Sequence, residues 1–164
     1  NRLGIGRTFQ KLKPFPQMTV EENVMVGLMQ HVSQMNEARE EAHRYLEFVG
    51  LIDKRSVYAH GLSTGQRKRL ELARAMASRP KLLLLDEVTG GVDQKTVPEL
   101  VSLVERLRTE GTTVVLIEHN MKVLMSLADH VVALHLGQQI AYGRPQEIQA
   151  HKQVIESYLG ASYA

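Results

Sequence analysis

The stretch Leu82-Leu83-Leu84-Leu85-Asp86-Glu87 decides the fold of this chain. Four consecutive leucines predict a strand of a parallel sheet that is buried on both faces. Open α/β sheets bind their ligands beyond the carboxyl ends of the strands, where this strand ends in two carboxylates. The simpler interpretation is a strand end with two solvated acids. Because unpaired buried charge is costly, we favour a site at Asp86 and Glu87 for a Mg²⁺ ion and an activated water.

A second informative segment, Leu62-Ser63-Thr64-Gly65-Gln66, precedes this strand. It places a serine and a glycine directly before a predicted helix. A serine hydroxyl and a glycine amide at a helix N-terminus form an anion-binding site. The pentapeptide alone is equally consistent with an ordinary serine helix cap. The apolar strand at a suitable distance downstream favours the anion site.

Helical and strand patterns alternate along the chain, which predicts an α/β fold with a parallel sheet. The predicted elements are a short strand within residues 1–10, a loop over Lys11–Thr19, a helix from Val20 capped by Thr19, a helix capped by Asn36 and ended by Gly50, helices over Gln66–Ser78, Gln94–Thr109 and Met121–Ala128, buried strands at Leu82–Leu85 and Thr113–Glu118, a hairpin of Val131–Leu136 with Gln139–Tyr142, and a helical tail over Pro145–Leu159.

Composition narrows the class of protein. A chain of 164 residues with 43% hydrophobic residues is one domain or a large part of one. The formal net charge is only +2 and no long Lys/Arg block occurs, which argues against a nucleic-acid partner. The chain has no cysteine, which excludes a disulfide framework and fits a reducing cytosol. No stretch reaches the roughly 20 apolar residues that span a bilayer, so a membrane role requires a partner.

The two segments together resemble the signature loop and the Walker B strand of ABC-type ATPases. The resemblance implies an α/β fold of the P-loop NTPase type (ABC ATPase), with a parallel sheet and a helical subdomain, truncated at its N-terminus. It also implies a division of the chain. Residues from about 18 to 80 would form the helical signature subdomain, and residues 1–17 and 81–164 would belong to the catalytic α/β core and the C-terminal tail.

The phosphate cradle of such ATPases, G-x-x-x-x-G-K-[ST], does not occur in this sequence. None of the twelve glycines is followed by lysine. We therefore expect that this chain alone binds ATP weakly or not at all and is inactive by itself, whereas the complete domain is an ATPase. Whether a cradle lies upstream of Asn1 or has been lost stays open.

The resemblance assigns catalytic roles to residues at the ends of two strands. Glu87 would polarise the attacking water, and Asp86 would orient Mg²⁺ through water. His119 follows Thr113–Glu118 and would contact the γ-phosphate as a charge-stabilising group. Residues of the signature loop would clamp ATP that an opposite subunit holds, which implies a dimer; they are Ser63, Thr64, Gly65 and Gln66.

Further positions match two loops of the family. Gln10 matches the Q-loop glutamine, which touches Mg²⁺ and water, and Asp93 of the D-loop would contact the other subunit's cradle. Phe15 and Met18 are candidate contacts to a membrane subunit; equally, they could pack into the core of the helical block. The family more often has glycine at Thr64 and proline at Val88. The six other histidines show no metal-ligand pattern, and we assign them no role.

Three segments look like the ATPase subunits of branched-chain amino acid importers: Gly4–Gln10, Glu118–Val123 and Val154–Gly160. This resemblance implies an ATP- and Mg²⁺-dependent subunit that energises amino acid transport, with branched-chain amino acids as the substrate. Its partners would be a second ATPase subunit, transmembrane permease subunits and, indirectly, a substrate-binding protein. The location would be cytoplasmic, peripheral on the inner face of the plasma membrane.

Two alternatives belong to other classes. One is a soluble ABC ATPase of DNA repair or translation, but these usually insert long coiled coils or basic extensions near the signature, and the helical block here is compact. The other is a non-catalytic remnant that can dimerise but not turn over. The residues do not distinguish a homodimer from a heterodimer, import from export, or one transported substrate from another.

Overall fold

The computed structural model describes residues 3–9 and 13–158. The predicted Q-loop residue Gln10 and the predicted helix end at Leu159 lie outside these ranges. The chain divides into two compact units, Asn1–His119 and Asn120–Ala164, each of which is described by itself.

The first unit contains a parallel sheet and the helices that lie within the range of about residues 18–80. Its elements are β1 (Ile5–Arg7), α1 (Val20–Leu28), α2 (Met35–Phe48), short 3₁₀ turns at Ile52–Lys54 and Ala59–Gly61, α3 (Thr64–Ala77), β2 (Leu82–Asp86), α4 (Val97–Thr109) and β3 (Thr113–Ile117). The second unit contains α5 (Met121–Leu127), β4 (Val131–His135), β5 (Gln138–Gly143), α6 (Pro145–Gln149) and α7 (Lys152–Tyr158).

The sheet of the first unit has the order β1-β2-β3, and both pairings are parallel. The register places Asp86 opposite Ile117, the last residue of β3. All three strands therefore end at the same edge of the sheet, and the residues that follow β2 and β3 come close together there. This edge carries the candidate site.

The predictions that β2 is buried on both faces and that β3 is a buried strand were wrong. In β2 only Leu83 and Leu85 are fully buried. In β3 the side chains of Val115 and Ile117 are 49% and 62% exposed. An apolar run shows that both faces of a strand are apolar, but it does not show that other elements cover both of them.

Helix starts follow local capping where the sequence offers it. The Thr19 hydroxyl accepts a hydrogen bond from the Glu22 amide (3.2 Å), and the Glu22 carboxylate accepts one from the Thr19 amide (2.7 Å), so α1 begins at Val20 as predicted. The cap predicted at Asn36 was wrong, because extended backbone already ends at Gln34 and α2 begins at Met35. The position at which the loop leaves the extended conformation fixes the start of α2. This position outweighs the preference of Asn36 for a cap.

Two further helix starts differ from the prediction by a few residues. Ser63 caps α3, so this helix begins at Thr64 rather than at Gln66. Helix α4 begins at Val97 rather than at Gln94, because Asp93 holds the intervening residues in a turn. In α3 the Ser63 side chain is the cap itself, whereas in α4 the Asp93 side chain fixes a turn before the cap residue Thr96.

Close helix packing holds the helical block together. A β-carbon added at Gly27 of α1 would lie 2.8 Å from both the Ala77 β-carbon and the Arg74 carbonyl oxygen of α3. Only glycine therefore permits this approach of α1 to α3. The buried core of the block includes Val20, Val24, Leu28, Leu46, Leu70 and Ala73.

The second unit contains the predicted hairpin. Leu136 and Gly137 both have positive φ (49° and 79°), the requirement of the two-residue turn that suits the twist of a hairpin. The tail predicted as one helix is two helices, α6 and α7, separated at Ala150 and His151. Five buried side chains form the core of this unit: Val131, Ala133, Ala141, Ile148 and Val154.

Candidate active site

Two predicted catalytic residues meet at the carboxyl edge of the sheet. Nδ1 of His119 lies 3.7 Å from Oε1 of Glu87, which is within ion-pair distance but too long for a direct hydrogen bond. The Glu87 side chain is 27% exposed and the His119 side chain is 70% exposed. The pair is therefore accessible to a ligand at this edge.

The backbone of Glu87 is held on both sides. Its φ is +48°, an uncommon value for a residue other than glycine. Its amide donates a hydrogen bond to the Ile117 carbonyl (2.9 Å). Its carbonyl oxygen accepts from Nζ of Lys68 (2.6 Å) and from the Gly90 amide (3.0 Å). Such a conformation persists where its surroundings over-determine it, as they do here.

Asp86 is tied to the end of β1. Its amide donates to the hydroxyl of the buried residue Thr8 (3.2 Å), and its carboxylate Oδ2 lies 3.6 Å from Nη2 of Arg7. The Asp86 side chain is 25% exposed, so its carboxylate can reach a ligand at the sheet edge. The end of β1, just before Gln10, thus positions the first of the two acids.

The signature loop forms the N-terminus of the 14-residue helix α3. The Ser63 hydroxyl accepts from the Gln66 amide (3.3 Å), and the Gln66 side-chain oxygen accepts from the Ser63 amide (3.0 Å). Accepting leaves the hydroxyl proton of Ser63 available to donate to an anion. Ser63 and Thr64 are exposed, whereas Gly65 is buried. The positive end of the α3 dipole is therefore exposed, together with the hydroxyl of Ser63 as a hydrogen-bond donor.

The signature loop and the predicted D-loop touch within this chain. A β-carbon on Gly65 would lie 2.7 Å from the methyl group of Thr96. The Thr96 hydroxyl donates to Oδ2 of Asp93 (2.8 Å), and Oδ1 of Asp93 accepts from the amides of Lys95 and Thr96. The hydrogen bonds from Thr96 lower the pKa of Asp93, which keeps this exposed carboxylate ionised.

The loop before α1 is fixed by one buried amide. Asn23, fully buried, accepts from the Phe15 amide (2.9 Å) and donates to the carbonyls of Phe15, Met18 and Thr19. The Phe15 ring is 41% exposed, and the Arg74 guanidinium lies 4.7 Å from its centroid. The two candidate partner contacts, Phe15 and Met18, are thus presented on a well-held loop.

Sequence patterns did not single out several residues that shape this site. Lys68 looks like a surface lysine of an amphipathic helix, yet it is 5% exposed and holds Glu87. Thr8 and Glu118 lie within two of the segments that resemble the family, Gly4–Gln10 and Glu118–Val123, but the sequence assigned neither residue a role.

Among the described residues, no group of three or more histidine, aspartate, glutamate or cysteine side chains could enclose a metal ion. Mg²⁺ is usually bound through one or two carboxylates, with waters and substrate phosphates completing its shell. The partly exposed carboxylate of Asp86 fits that requirement. In the described part of the chain, no helix is long and apolar enough to cross a membrane.

Comparison with known proteins establishes the family. A family model described as "ABC transporter" matches residues 1–90, and one described as "Branched-chain amino acid ATP-binding cassette transporter" matches residues 138–164. The chain belongs to the ABC transporter family, whose ATP-binding subunits hydrolyse ATP. This family is the one that the signature and Walker B segments predict, and the prediction of an ABC ATPase fold is likewise confirmed.

Individual relatives lie among amino acid transport proteins. The chain is 38% identical to the high-affinity branched-chain amino acid transport ATP-binding protein BraF of Pseudomonas aeruginosa, over 97% of this chain and 69% of BraF. It is 35% identical to LivG of Escherichia coli with the same coverage. The structure superposes on the ADP conformation of MJ1267, an ATP-binding cassette of an ABC transporter, with a TM-score of 0.83 and 30% identity, over 97% of this chain and 69% of that one.

Proposed function

We propose that this chain is an ATP-hydrolysing subunit that energises the transport of branched-chain amino acids across a membrane. Support for the substrate class comes from the names of relatives such as BraF and LivG and from the matched segment 138–164. No residue of the described site would itself contact an amino acid, because the transport path would belong to the permease subunits.

The observation that carries the catalytic part is the pairing of Glu87 with His119 at 3.7 Å. Glu87 would accept a hydrogen bond from the attacking water and polarise it, and His119 would stabilise the charge on the γ-phosphate. Asp86, with Gln10, would hold Mg²⁺ through water. When bound, that ion would neutralise charge developing on the phosphates.

A second subunit would complete the site. The exposed hydroxyl of Ser63, with the backbone of Thr64, Gly65 and Gln66, would clamp the γ-phosphate of ATP held by the opposite subunit. Asp93 would contact that subunit's cradle. One solved relative with a TM-score of 0.78 and 28% identity, over 88% of this chain and 64% of that one, is described as dimeric and bound to ADP and Pi.

The membrane partners would be transmembrane permease subunits, reached through the loop that Asn23 holds, with a substrate-binding protein as an indirect partner. Phe15 and Met18 would form part of that contact. Residues from about 18 to 80 would form the helical signature subdomain, and residues 1–17 and 81–164 would belong to the catalytic α/β core and the C-terminal tail. The protein would then lie in the cytoplasm, peripheral on the inner face of the plasma membrane.

Uptake measurements test this function. The whole gene product would be co-expressed with the permease genes of its locus in a strain that lacks branched-chain amino acid uptake. We expect restored uptake of labelled leucine, isoleucine or valine, which Glu87→Gln abolishes. Uptake of another solute with no response to these three amino acids would contradict the substrate class. ATP hydrolysis stimulated by nucleic acid but not by permease would favour the repair or translation alternative.

A further inference from the structure

Lys68 is a buried cation that the functions assigned above do not use. It lies in the second turn of α3, and its side chain donates from Nζ to the Glu87 carbonyl oxygen at 2.6 Å. The residue is only 5% exposed. Burying an ammonium group is costly unless it is hydrogen-bonded. The burial of Lys68 is therefore not explained by the usual role of lysine as a solvent-exposed charge.

The carbonyl that Lys68 contacts belongs to one of the two peptide groups that flank the Glu87 α-carbon and so influence the direction of its side chain. With φ at +48°, Glu87 projects its carboxylate over Gly90, where an added β-carbon would lie 3.3 Å from Oε2. Small rotations of this peptide would move the carboxylate relative to His119. The hydrogen bond from Lys68 to the carbonyl opposes such rotations, and a charged donor makes it one of the stronger ones.

We propose that Lys68 is a positioning residue that makes the orientation of Glu87 depend on the position of α3. Lys68 follows Ser63 by little more than one helical turn, and α3 begins at the predicted phosphate clamp. A phosphate bound at Ser63, contributed by the opposite subunit, would thereby fix the glutamate that acts on this chain's own ATP. The inference rests on the proposed role of Glu87 and extends it to communication between the two ATP sites.

Two further contacts of the same helix support this role for α3. Glu71 and Arg74 follow Lys68 at intervals of three residues and lie on neighbouring positions of one face. The Glu71 carboxylate accepts from the Phe9 amide (3.0 Å), and Nη1 of Arg74 donates to the Lys13 carbonyl (2.9 Å). The row Lys68, Glu71 and Arg74 thus joins α3 to Glu87 and to the residues on both sides of Gln10.

Lys68→Met tests the proposal, because methionine matches the apolar stem of the lysine side chain and removes the ammonium donor. The Glu87 carbonyl keeps its bond from Gly90, so the fold should survive, which thermal unfolding checks. In the whole gene product with its permease, we expect kcat for ATP hydrolysis to fall at least about tenfold, as for a misplaced catalytic group. KM for ATP should stay within about twofold. Lys68→Arg, which retains a cationic donor, should recover part of kcat.

Lys81→Met is the matched control, because Lys81 is an exposed lysine at the opposite end of β2. Its kcat should equal that of the unmodified protein. If Lys68→Met leaves kcat unchanged while Glu87→Gln abolishes hydrolysis, the positioning role of Lys68 is wrong and the role of Glu87 stands. If Glu87→Gln retains hydrolysis, the proposed function of Glu87 fails and the inference fails with it. If Lys68→Met does not fold, Lys68→Gln replaces it with the same expected outcomes.

Discussion

Thr89 donates both its amide and its hydroxyl to Oε1 of Glu118, at 2.9 Å in each case. This pair joins the turn after β2 to the residue after β3, and Glu118 directly precedes His119. Thr89 is 7% exposed, and Oε2 of Glu118 is buried without a hydrogen-bond partner among the described residues. The two strand ends that carry the proposed catalytic residues are therefore held at a fixed separation.

Thr89→Val should loosen this link without changing the volume of the side chain. The hydrogen bond from the backbone amide of residue 89 to Glu118 remains, so the loss of the hydroxyl should lower the free energy of unfolding by only about 1 kcal/mol. We expect kcat for ATP hydrolysis to fall about tenfold in the folded variant, because Glu87 and His119 lose their alignment. Thr113→Val, at an exposed position of β3, is the control and should change neither quantity appreciably.

Gly90→Ala should disturb the Glu87 carboxylate directly. The added methyl group would lie 3.2 Å from the Glu87 carbonyl oxygen and 3.3 Å from Oε2. We expect kcat to fall with a stability loss of about 1–2 kcal/mol, the usual cost of mild overpacking. Gly61→Ala is the matched control, because its added methyl group would meet only the Val57 side chain at an ordinary 3.6 Å. Equal kcat values for the two variants would show that the Glu87 position tolerates displacement.

Asn23→Ala should release the loop that carries Phe15 and Met18. The substitution removes contacts with four backbone groups: three carbonyls that share the two N–H groups of the side-chain nitrogen, and the Phe15 amide at the side-chain oxygen. Urea unfolding should show a loss of about 2–4 kcal/mol, since several buried loop groups lose their partners together. Asn36→Ala changes an exposed asparagine inside α2 and should stay within about 0.5 kcal/mol of the unmodified protein. Similar losses for the two variants would contradict the role of Asn23.

Two partly buried carboxylates should respond to pH in opposite directions. Burial raises the pKa of Glu71 above its ordinary value of 4.5. Its charged form therefore destabilises the fold, and this penalty is absent below pH 4.5 and grows as pH rises through the raised pKa. Glu71→Gln keeps an acceptor for the Phe9 amide and removes the charge. It should be more stable than the unmodified protein at neutral pH and equal to it well below pH 4.5.

Glu41 supplies the comparison of opposite sign. Its hydrogen bond from Arg79 lowers its pKa, so its contribution to stability is present above pH 4.5 and is lost as pH falls through the lowered pKa. Glu41→Gln should therefore be less stable than the unmodified protein at neutral pH, and the difference should disappear in acid. Thermal unfolding of both variants from pH 3 to pH 8, a range of about five units around the ordinary carboxyl pKa, measures both trends. Trends of the same sign would contradict this assignment.

Much of this fold could be predicted from local sequence. The Thr19 capping box, the leucine run of β2 and the Leu136-Gly137 turn each specify their own backbone, so the elements there have the predicted bounds or nearly so. Starts of helices were less certain. Asn36 has the right chemistry for a cap, but the path of the chain places the cap at Gln34.

The site was predicted only in part, for a physical reason. Glu87 and His119 follow apolar strands, and parallel strands bring their carboxyl ends together, so their proximity could be expected. The supporting contacts of Lys68, Thr8 and Glu118 depend on how α3, β1 and β3 pack around β2. That packing joins residues distant in sequence, and no periodicity or motif in the chain encodes it.

Single-turnover hydrolysis by Glu87→Gln tests the central claim most directly. The whole gene product would be mixed with radiolabelled ATP and Mg²⁺, and bound nucleotide and released phosphate would be measured together. Glu110→Gln, an exposed glutamate at the end of α4, is the control. The account predicts that Glu87→Gln binds ATP as the control does but releases phosphate at least about 100-fold more slowly, the loss expected for a general base. Phosphate release at the rate of the control would contradict it.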